Sequence, residues 1–189
     1  MKIGRICYPV TTLGPGDRVA VWVQGCSRHC HGCMSPELQS EAGIDVPVET
    51  IARSIVDVLP PNTGLTISGG EPLEQSAELI QLLQELRPHF KDILLYTGYD
   101  HEEAKVLENS IWDRLTTLCD VVVSGPYIDS QNNGCPLRGS GNQDIHFCSE
   151  DNELRQSYEK YMALGRPAPQ VFFHENGVTI AGIPAEKGE

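Results

Sequence analysis

The sequence has no long hydrophobic run: nowhere does it approach the ~20 consecutive apolar residues that a membrane-spanning helix needs. The opening stretch Met1–Cys7 also lacks the apolar core of a secretory leader, so a cytoplasmic protein that does not engage membranes is expected. Positive charge is scarce, with 14 Lys and Arg against 26 Asp and Glu and a formal net charge of −12. That balance opposes attraction to phosphate backbones, and nucleic acid is not an expected partner. There is no repeat at periods of roughly 20–50 residues and no low-complexity tract, which excludes solenoids, propellers and linker-rich arrays. Hydrophobic residues make up 40% and are spread along the chain, so global disorder and a collagen-like composition are excluded too. A length of 189 residues suits one domain over 1–189 with one core.

What is present is an alternation of two hydrophobic periods. Short runs rich in β-branched or aromatic residues at Arg18–Gln24, Leu65–Ser68, Ile93–Thr97 and Asp120–Ser124 predict buried strands. Between them, Val48–Leu59, Ser76–Leu86 and Glu102–Leu118 have helical spacing, the last with a break near Asn109. Strand alternating with helix predicts an α/β fold of βαβ units with a mostly parallel sheet, and chemistry at the carboxyl ends of its strands. Pro126–Gln143, rich in Gly, Asn and Pro, predicts a loop before a short strand, and a helix follows at Asp151–Leu164. In the tail, Asn176-Gly177 between two alternating apolar segments signals a β-hairpin, and Lys187–Glu189 are expected to fray.

Seven cysteines are present, an odd number with three of them packed into eight residues. That pattern argues against a disulfide framework and for ligation of a metal or cluster. Cys26, Cys30 and Cys33 form C-x3-C-x2-C in CSRHCHGC, directly after the first expected strand. Thiolates suit iron–sulfur clusters or zinc, but structural zinc normally closes with four protein ligands and no fourth stands nearby in obvious position. His29 and His31 are the local alternatives for closing a zinc site, yet each adjoins a cysteine and fits poorly in the same tetrahedron; otherwise they are loop residues. Gly25 and Gly32 suit the tight turns of a cluster loop. Three cysteines around four irons leave one iron open to a substrate or cofactor. Of the others, Cys7 and Cys119 read as buried thiols in apolar strand contexts. Cys135 and Cys148 flank the RGSGNQ loop, where the functional reading is a thiol hydrogen donor or a second metal ligand.

The second expected strand, Leu65-Thr66-Ile67-Ser68, runs directly into Gly69-Gly70-Glu71-Pro72. Glycines let backbone groups approach a ligand, and an ionised carboxylate accepts charge-assisted hydrogen bonds from an amine. Together, the cysteine triad and this element resemble the radical S-adenosylmethionine superfamily. More closely, the chain resembles the activating proteins of anaerobic ribonucleotide reductase, through CHGC, ISGGEP, YTGY (Tyr96–Tyr99), DVVVSGPY (Asp120–Tyr127) and LRGSGNQ (Leu137–Gln143). Two features depart from that pattern: Met34-Ser35-Pro36 stands where an aromatic residue and Asn are usual, and the tail beyond Gln143 is longer.

The resemblance implies an incomplete (β/α)6 partial TIM barrel over a core of about residues 18–143, with a C-terminal extension at 144–189. It implies a [4Fe–4S] cluster held by Cys26, Cys30 and Cys33, with the amino and carboxylate groups of S-adenosylmethionine on the open iron. Gly69, Gly70 and Glu71 would then contact the methionyl amine, and Thr97 and Tyr99 would face the cofactor from the end of the third strand. Arg138, Asn142 and Gln143 offer donors for a carboxylate, a ribose or a partner backbone. The implied chemistry is reductive cleavage of S-adenosylmethionine to a 5′-deoxyadenosyl radical, which abstracts hydrogen from a glycine of a partner glycyl-radical enzyme. A low-potential donor such as flavodoxin or ferredoxin would supply the electron, and no side chain beyond cluster and cofactor would be catalytic. Two other readings compete: radical modification of a peptide or small molecule, with the hairpin adding a strand to the peptide, and a non-catalytic electron-transfer or binding module.

Overall fold

The computed structural model describes residues 1–107, 110–175 and 177–184. Its main sheet holds six strands in chain order: Ile3–Val10 (β1), Arg18–Val23 (β2), Gly64–Gly69 (β3), Ile93–Thr97 (β4), Val121–Ser124 (β5) and Asp144–Phe147 (β6). β2 to β5 run parallel, while β1 and β6 pair antiparallel at the two edges. The fold is therefore mixed α/β with a mostly parallel sheet, and among the described residues the sheet stays open, β1 and β6 being unpaired with each other. The four parallel strands are those expected from the sequence, because strands covered on both faces read as unbroken apolar runs; all six residues of β2 are buried. β6 answers the short strand expected after the loop. β1 has no counterpart among the expected strands: half of it is exposed and it carries Arg5 and Pro9, as an edge strand can.

Four helices connect the parallel strands: Val48–Val56 (α1), Ser76–Leu86 (α2), His101–Val106 (α3) and Ile111–Leu118 (α4). α1 ends short of Leu59 because Pro60 disfavours helical backbone at the residue before it. α3 starts at a capping box between Asp100 and Glu103. The expected break near Asn109 lies outside the described residues, between α3 and α4. These helices cover one face of the sheet, where Ile51, Ile55, Leu79, Leu83 and Leu115 pack on Val19, Val21, Leu65, Ile67 and Leu95.

The C-terminal extension covers the opposite face. Leu154 and Tyr158 of the helix Asn152–Ala163 (α5) pack on Leu94, Val121 and Val123. Gln170–His174 (β7) and Gly177–Ala181 (β8) form a separate antiparallel two-stranded sheet, and Phe172 and Ala181 join Leu13, Ala20 and Trp22. The expected hairpin is present, but Gly177 already belongs to β8, opposite His174, and is not a turn residue; Asn176 lies outside the described residues, as do Lys187–Glu189. At the amino end of β2, Arg18 is wholly buried, paired with Asp92 at 2.8 Å and bonded to Thr66 Oγ1 and the Leu65 carbonyl at 2.6 Å each. The Tyr158 hydroxyl donates to the same Asp92 oxygen at 2.5 Å, so α5 is tied to the end of the sheet remote from the cysteine loop. A buried charge left unpaired would cost several kcal/mol, and here each is met. Among the described residues no helix is long and apolar enough to cross a membrane.

Candidate functional site

Register brings the two sequence motifs together. Val23 at the end of β2 lies opposite Gly69 at the end of β3, so the cysteine loop and Gly69-Gly70-Glu71 leave adjacent strands at the same level. Backbone hydrogen bonds of 2.8 Å join them: Gly70 N–H to the Val23 carbonyl and Glu71 N–H to the Gly25 carbonyl. This approach excludes a side chain at Gly70, since a Cβ there would collide with the Gly25 carbonyl; Gly69 sits at φ 117°, a backbone conformation costly for any other residue. Cys26, Cys30 and Cys33 line one cavity with Gly69, Gly70 and Glu71, and Thr97 closes it from β4.

The donor set fits an iron–sulfur cluster. Burial pushes the Cys26 thiol up, while hydrogen bonds from the backbone of Arg28 and His29 to its sulfur pull the other way. The Cys33 sulfur accepts from Ser35 N–H at 3.4 Å. Backbone N–H groups aimed at cysteine sulfurs stabilise thiolates and tune bound clusters. Among the described residues, no three His, Cys, Asp or Glu side chains gather closely enough for a single metal ion. The cavity lining offers three cysteines and neither a fourth cysteine nor a histidine, which suits a cluster with an open site better than closed four-ligand zinc. His29 and His31 are exposed and do not line the cavity; His29 Nδ1 instead lies 3.3 Å from Gln39 Oε1.

Two clamps hold the loop between its cysteines. Arg28 forks onto both carboxylate oxygens of Glu103, at 3.1 and 2.9 Å, and its guanidinium lies 4.6 Å over the Tyr99 ring. Ser27 donates to Glu74 Oε1 from its backbone N–H at 2.9 Å and from its hydroxyl at 2.5 Å. Bidentate Arg–carboxylate pairs fix orientation as well as distance, so the cysteine loop is tied to α3 and to the turn after Glu71.

Glu71 is the most buried acid of the site, 1% exposed. Its Oε1 accepts from Leu73 N–H at 2.9 Å and from the Thr97 hydroxyl at 2.7 Å, and its Oε2 accepts from Gly98 N–H at 2.6 Å. Burial raises its pKa and those donors oppose it; the balance leaves the carboxyl pushed up to about 7. Glu71 therefore changes charge near neutrality at the floor of the cavity.

Of the other residues singled out in the sequence, Thr97 lines the cavity and holds Glu71. Tyr99 does not line it; its ring lies beneath Arg28, and Tyr96 faces the cavity instead, donating to the Leu137 carbonyl at 2.6 Å. Arg138 donates to the Gln143 carbonyl, Asn142 donates to the Pro126 carbonyl while its Oδ1 stays without a partner among the described residues, and the Gln143 amide, on the cavity lining, bridges Gly125, Gly139 and Ser140. Cys7 and Cys119 are buried as expected. Cys148 packs against the helical face, where burial pushes its thiol up to about 11, and Cys135 faces Arg138 at 3.8 Å. Sequence reading missed Arg28, Tyr96 and the C-terminal residues Ile180, Ile183 and Pro184, all of which line the cavity. Arg28 had a signal, its place between two cysteines of the C-x3-C-x2-C motif; the C-terminal residues had none.

Residues 12–146 match the family described as 4Fe-4S single cluster domain. The chain belongs to this family. As a 4Fe-4S family chain it is 33% identical over 149 residues to the anaerobic ribonucleoside-triphosphate reductase-activating protein of Vibrio cholerae, a match taking in 74% of this chain and 94% of that protein. It is 32% identical over 150 residues to the protein of the same name from Haemophilus influenzae, with the same coverage. With that of Enterobacteria phage T4 it shares 31% over 150 residues, covering 76% of this chain and 92% of the phage protein. These relatives bear out the activase resemblance carried by the motifs. The 4Fe-4S family match ends inside β6, so α5 and the β7–β8 hairpin lie beyond it.

Proposed function

We propose that the chain is a radical S-adenosylmethionine activase that installs a radical on a glycine of a partner enzyme, an anaerobic ribonucleoside-triphosphate reductase like those named for its relatives. The observation that carries this reading is the junction of the three-cysteine loop with Gly69-Gly70-Glu71 in one cavity at the ends of two parallel strands. Cys26, Cys30 and Cys33 would hold a [4Fe–4S] cluster, and the cavity they share with Gly69, Gly70 and Glu71 would take S-adenosylmethionine beside it. When bound, cluster and cofactor supply a one-electron cleavage of the S–C5′ bond, giving methionine and a 5′-deoxyadenosyl radical that takes hydrogen from the substrate.

The chain's own residues do the rest. Glu71, steadied by Thr97 and Gly98, accepts from the methionyl amine. Gly69 and Gly70 leave room for backbone contact with it. Arg28 keeps the cysteine loop against α3, and the apolar C-terminal residues exclude water from the far wall. We read the open, mostly parallel sheet as a shortened relative of the incomplete (β/α)6 barrel that the motifs imply, with four parallel strands between antiparallel edges and with the cavity mouth admitting a protein substrate; a cytoplasmic setting and a flavodoxin- or ferredoxin-type donor complete the reading.

Anaerobic reconstitution followed by dithionite and S-adenosylmethionine tests it, with 5′-deoxyadenosine quantified beside a Cys30→Ala variant. Product from the wild type alone is expected. No product from a wild-type protein with cluster and cofactor both bound would sink the radical reading.

A further inference from the structure

The β7–β8 hairpin has two unlike faces. Phe172, Thr179 and Ala181 turn toward the body, where the Thr12 hydroxyl donates to the Ala181 carbonyl at 3.0 Å and Thr11 N–H to Gln170 Oε1 at 2.6 Å. The alternate residues form two cross-strand pairs, Val171 with Ile180 and Phe173 with Val178, and all four are exposed, Phe173 by 83%. Neither strand carries an Asp, Glu, Lys or Arg, although charged residues make up 21% of the chain. Among the described residues each strand pairs only with the other, so the hairpin presents unpaired edges without the charged side chains that usually guard them. An exposed apolar strip of this kind marks an interaction surface.

Its position says what covers it. Ile180 belongs both to the strip and to the lining of the cavity that holds Cys26, Cys30 and Cys33, and Ile183 and Pro184 continue that lining. The strip is thus the outward extension of the candidate active-site wall, and whatever lies along it is led to the cavity.

We infer that the outer face of β7–β8 is the docking surface for an extended apolar segment of the protein substrate, laid along Val171, Phe173, Val178 and Ile180 so that its reacting residue enters the cavity. The inference rests on the activase reading. On this face the contact is side chain to side chain, alternate apolar residues of the segment packing against the two cross-strand pairs, and the unpaired strand edges beside it offer main-chain hydrogen bonds to the same segment. A second copy of this chain would instead cover the cavity mouth and shut the substrate out. Because the hairpin lies beyond residue 146, where the family match ends, substrate choice would reside outside the matched part of the chain.

The test uses the reconstituted full chain and, as probe, the anaerobic ribonucleoside-triphosphate reductase encoded in the same genome. Phe173→Thr/Val178→Thr puts strand-compatible β-branched threonine at both positions, and Phe173→Tyr keeps the ring. Three quantities are read: 5′-deoxyadenosine formed without the reductase, the glycyl radical on the reductase by electron paramagnetic resonance, and the KM for the reductase. The double variant should form 5′-deoxyadenosine alone at the wild-type rate while its KM for the reductase rises by roughly tenfold or more, with Phe173→Tyr close to wild type. An unchanged KM in the double variant, with the wild type installing the radical, overturns the docking surface and leaves the activase reading standing. A wild type that cleaves S-adenosylmethionine but puts no radical on the reductase overturns the activase reading, and the docking surface with it. A wild-type dimer that the double variant dissociates assigns the strip to a second copy and overturns the inference.

Discussion

Glu71→Gln probes the proposed cofactor contact at its most buried polar group. The native carboxyl receives Leu73 N–H and the Thr97 hydroxyl on one oxygen and Gly98 N–H on the other. A glutamine that keeps its carbonyl toward Leu73 and Thr97 turns its NH2 onto Gly98 N–H, leaving a buried donor unpaired at a cost of about 1–3 kcal/mol. Against this, the variant no longer ionises a buried acid. Raising a carboxyl from 4.5 to about 7 is worth about 3 kcal/mol at 1.36 kcal/mol per unit. In the free protein that ionisation cost is absent below the unfolded value and grows as pH rises toward 7, so wild-type stability relative to the variant falls across that window. Near neutrality the two effects are similar and opposed, and the variant's melting temperature should change by only a few degrees. Affinity should change far more. A hydrogen bond from the methionyl amine to a carboxylate contributes about 1.5–3 kcal/mol, so S-adenosylmethionine should bind about 10- to 150-fold more weakly. The pH dependence separates charge from shape. The carboxylate is the accepting form, so the ratio of variant to wild-type Kd should climb about tenfold per pH unit as pH rises toward 7 and level off above it; the cofactor's own amine titrates in both proteins and cancels. Isothermal titration calorimetry on reconstituted protein across the range around pH 7 reads this ratio. A ratio of one at every pH, or one that does not vary with pH, would refute the contact.

Two further substitutions separate the site from its support. Gly70→Ala forces a Cβ against the Gly25 carbonyl, and with backbone on both sides neither can yield easily. It should cost about 1–3 kcal/mol, lowering the melting temperature by about 2–4 °C per kcal/mol and reducing iron content after reconstitution; full cluster loading at wild-type stability would contradict the close junction of the two motifs. Asp92→Ala leaves Arg18 charged, buried and without its ionic partner. A loss of about 3–5 kcal/mol is expected in urea unfolding, while 5′-deoxyadenosine formation per folded molecule stays at wild type because this network sits at the opposite end of β2 from the cysteine loop.

What the sequence discloses follows from separation along the chain. β2, β3 and the motifs at their ends are legible because a strand buried on both faces writes an unbroken apolar run, and the loops after them hold their chemistry within a few residues. The Arg28–Glu103 clamp spans 75 residues, and nothing in either segment marks the other as its partner. Arg18 opens an apolar strand and reads as its polar boundary; only the fold reveals that Asp92, Thr66 and Tyr158 make its burial tolerable. The hairpin is legible as a hairpin from its alternation, but its docking beside Trp22 depends on contacts such as Thr12 to Ala181, 169 positions apart. β1 escapes because an antiparallel edge strand needs no apolar run at all.

The two ends of the sheet divide stability from chemistry. At the amino ends, a closed network of Arg18, Asp92 and Tyr158 satisfies its charges within the protein and offers nothing to a ligand. At the carboxyl ends, burial pushes the Glu71 carboxyl up to about 7, the glycines withhold side chains, and the cysteine loop is held by Ser27 on Glu74 and by Arg28, itself part of the cavity wall, on Glu103. The family match covers this machinery from residue 12 to residue 146, whereas the far wall of the cavity is built by residues 180–184. On the proposed reading, the residues that match the family would generate the radical and a wall from beyond the match would face it, so a change of substrate would need changes in that wall and the apolar strip leading to it, with the cysteine loop left alone.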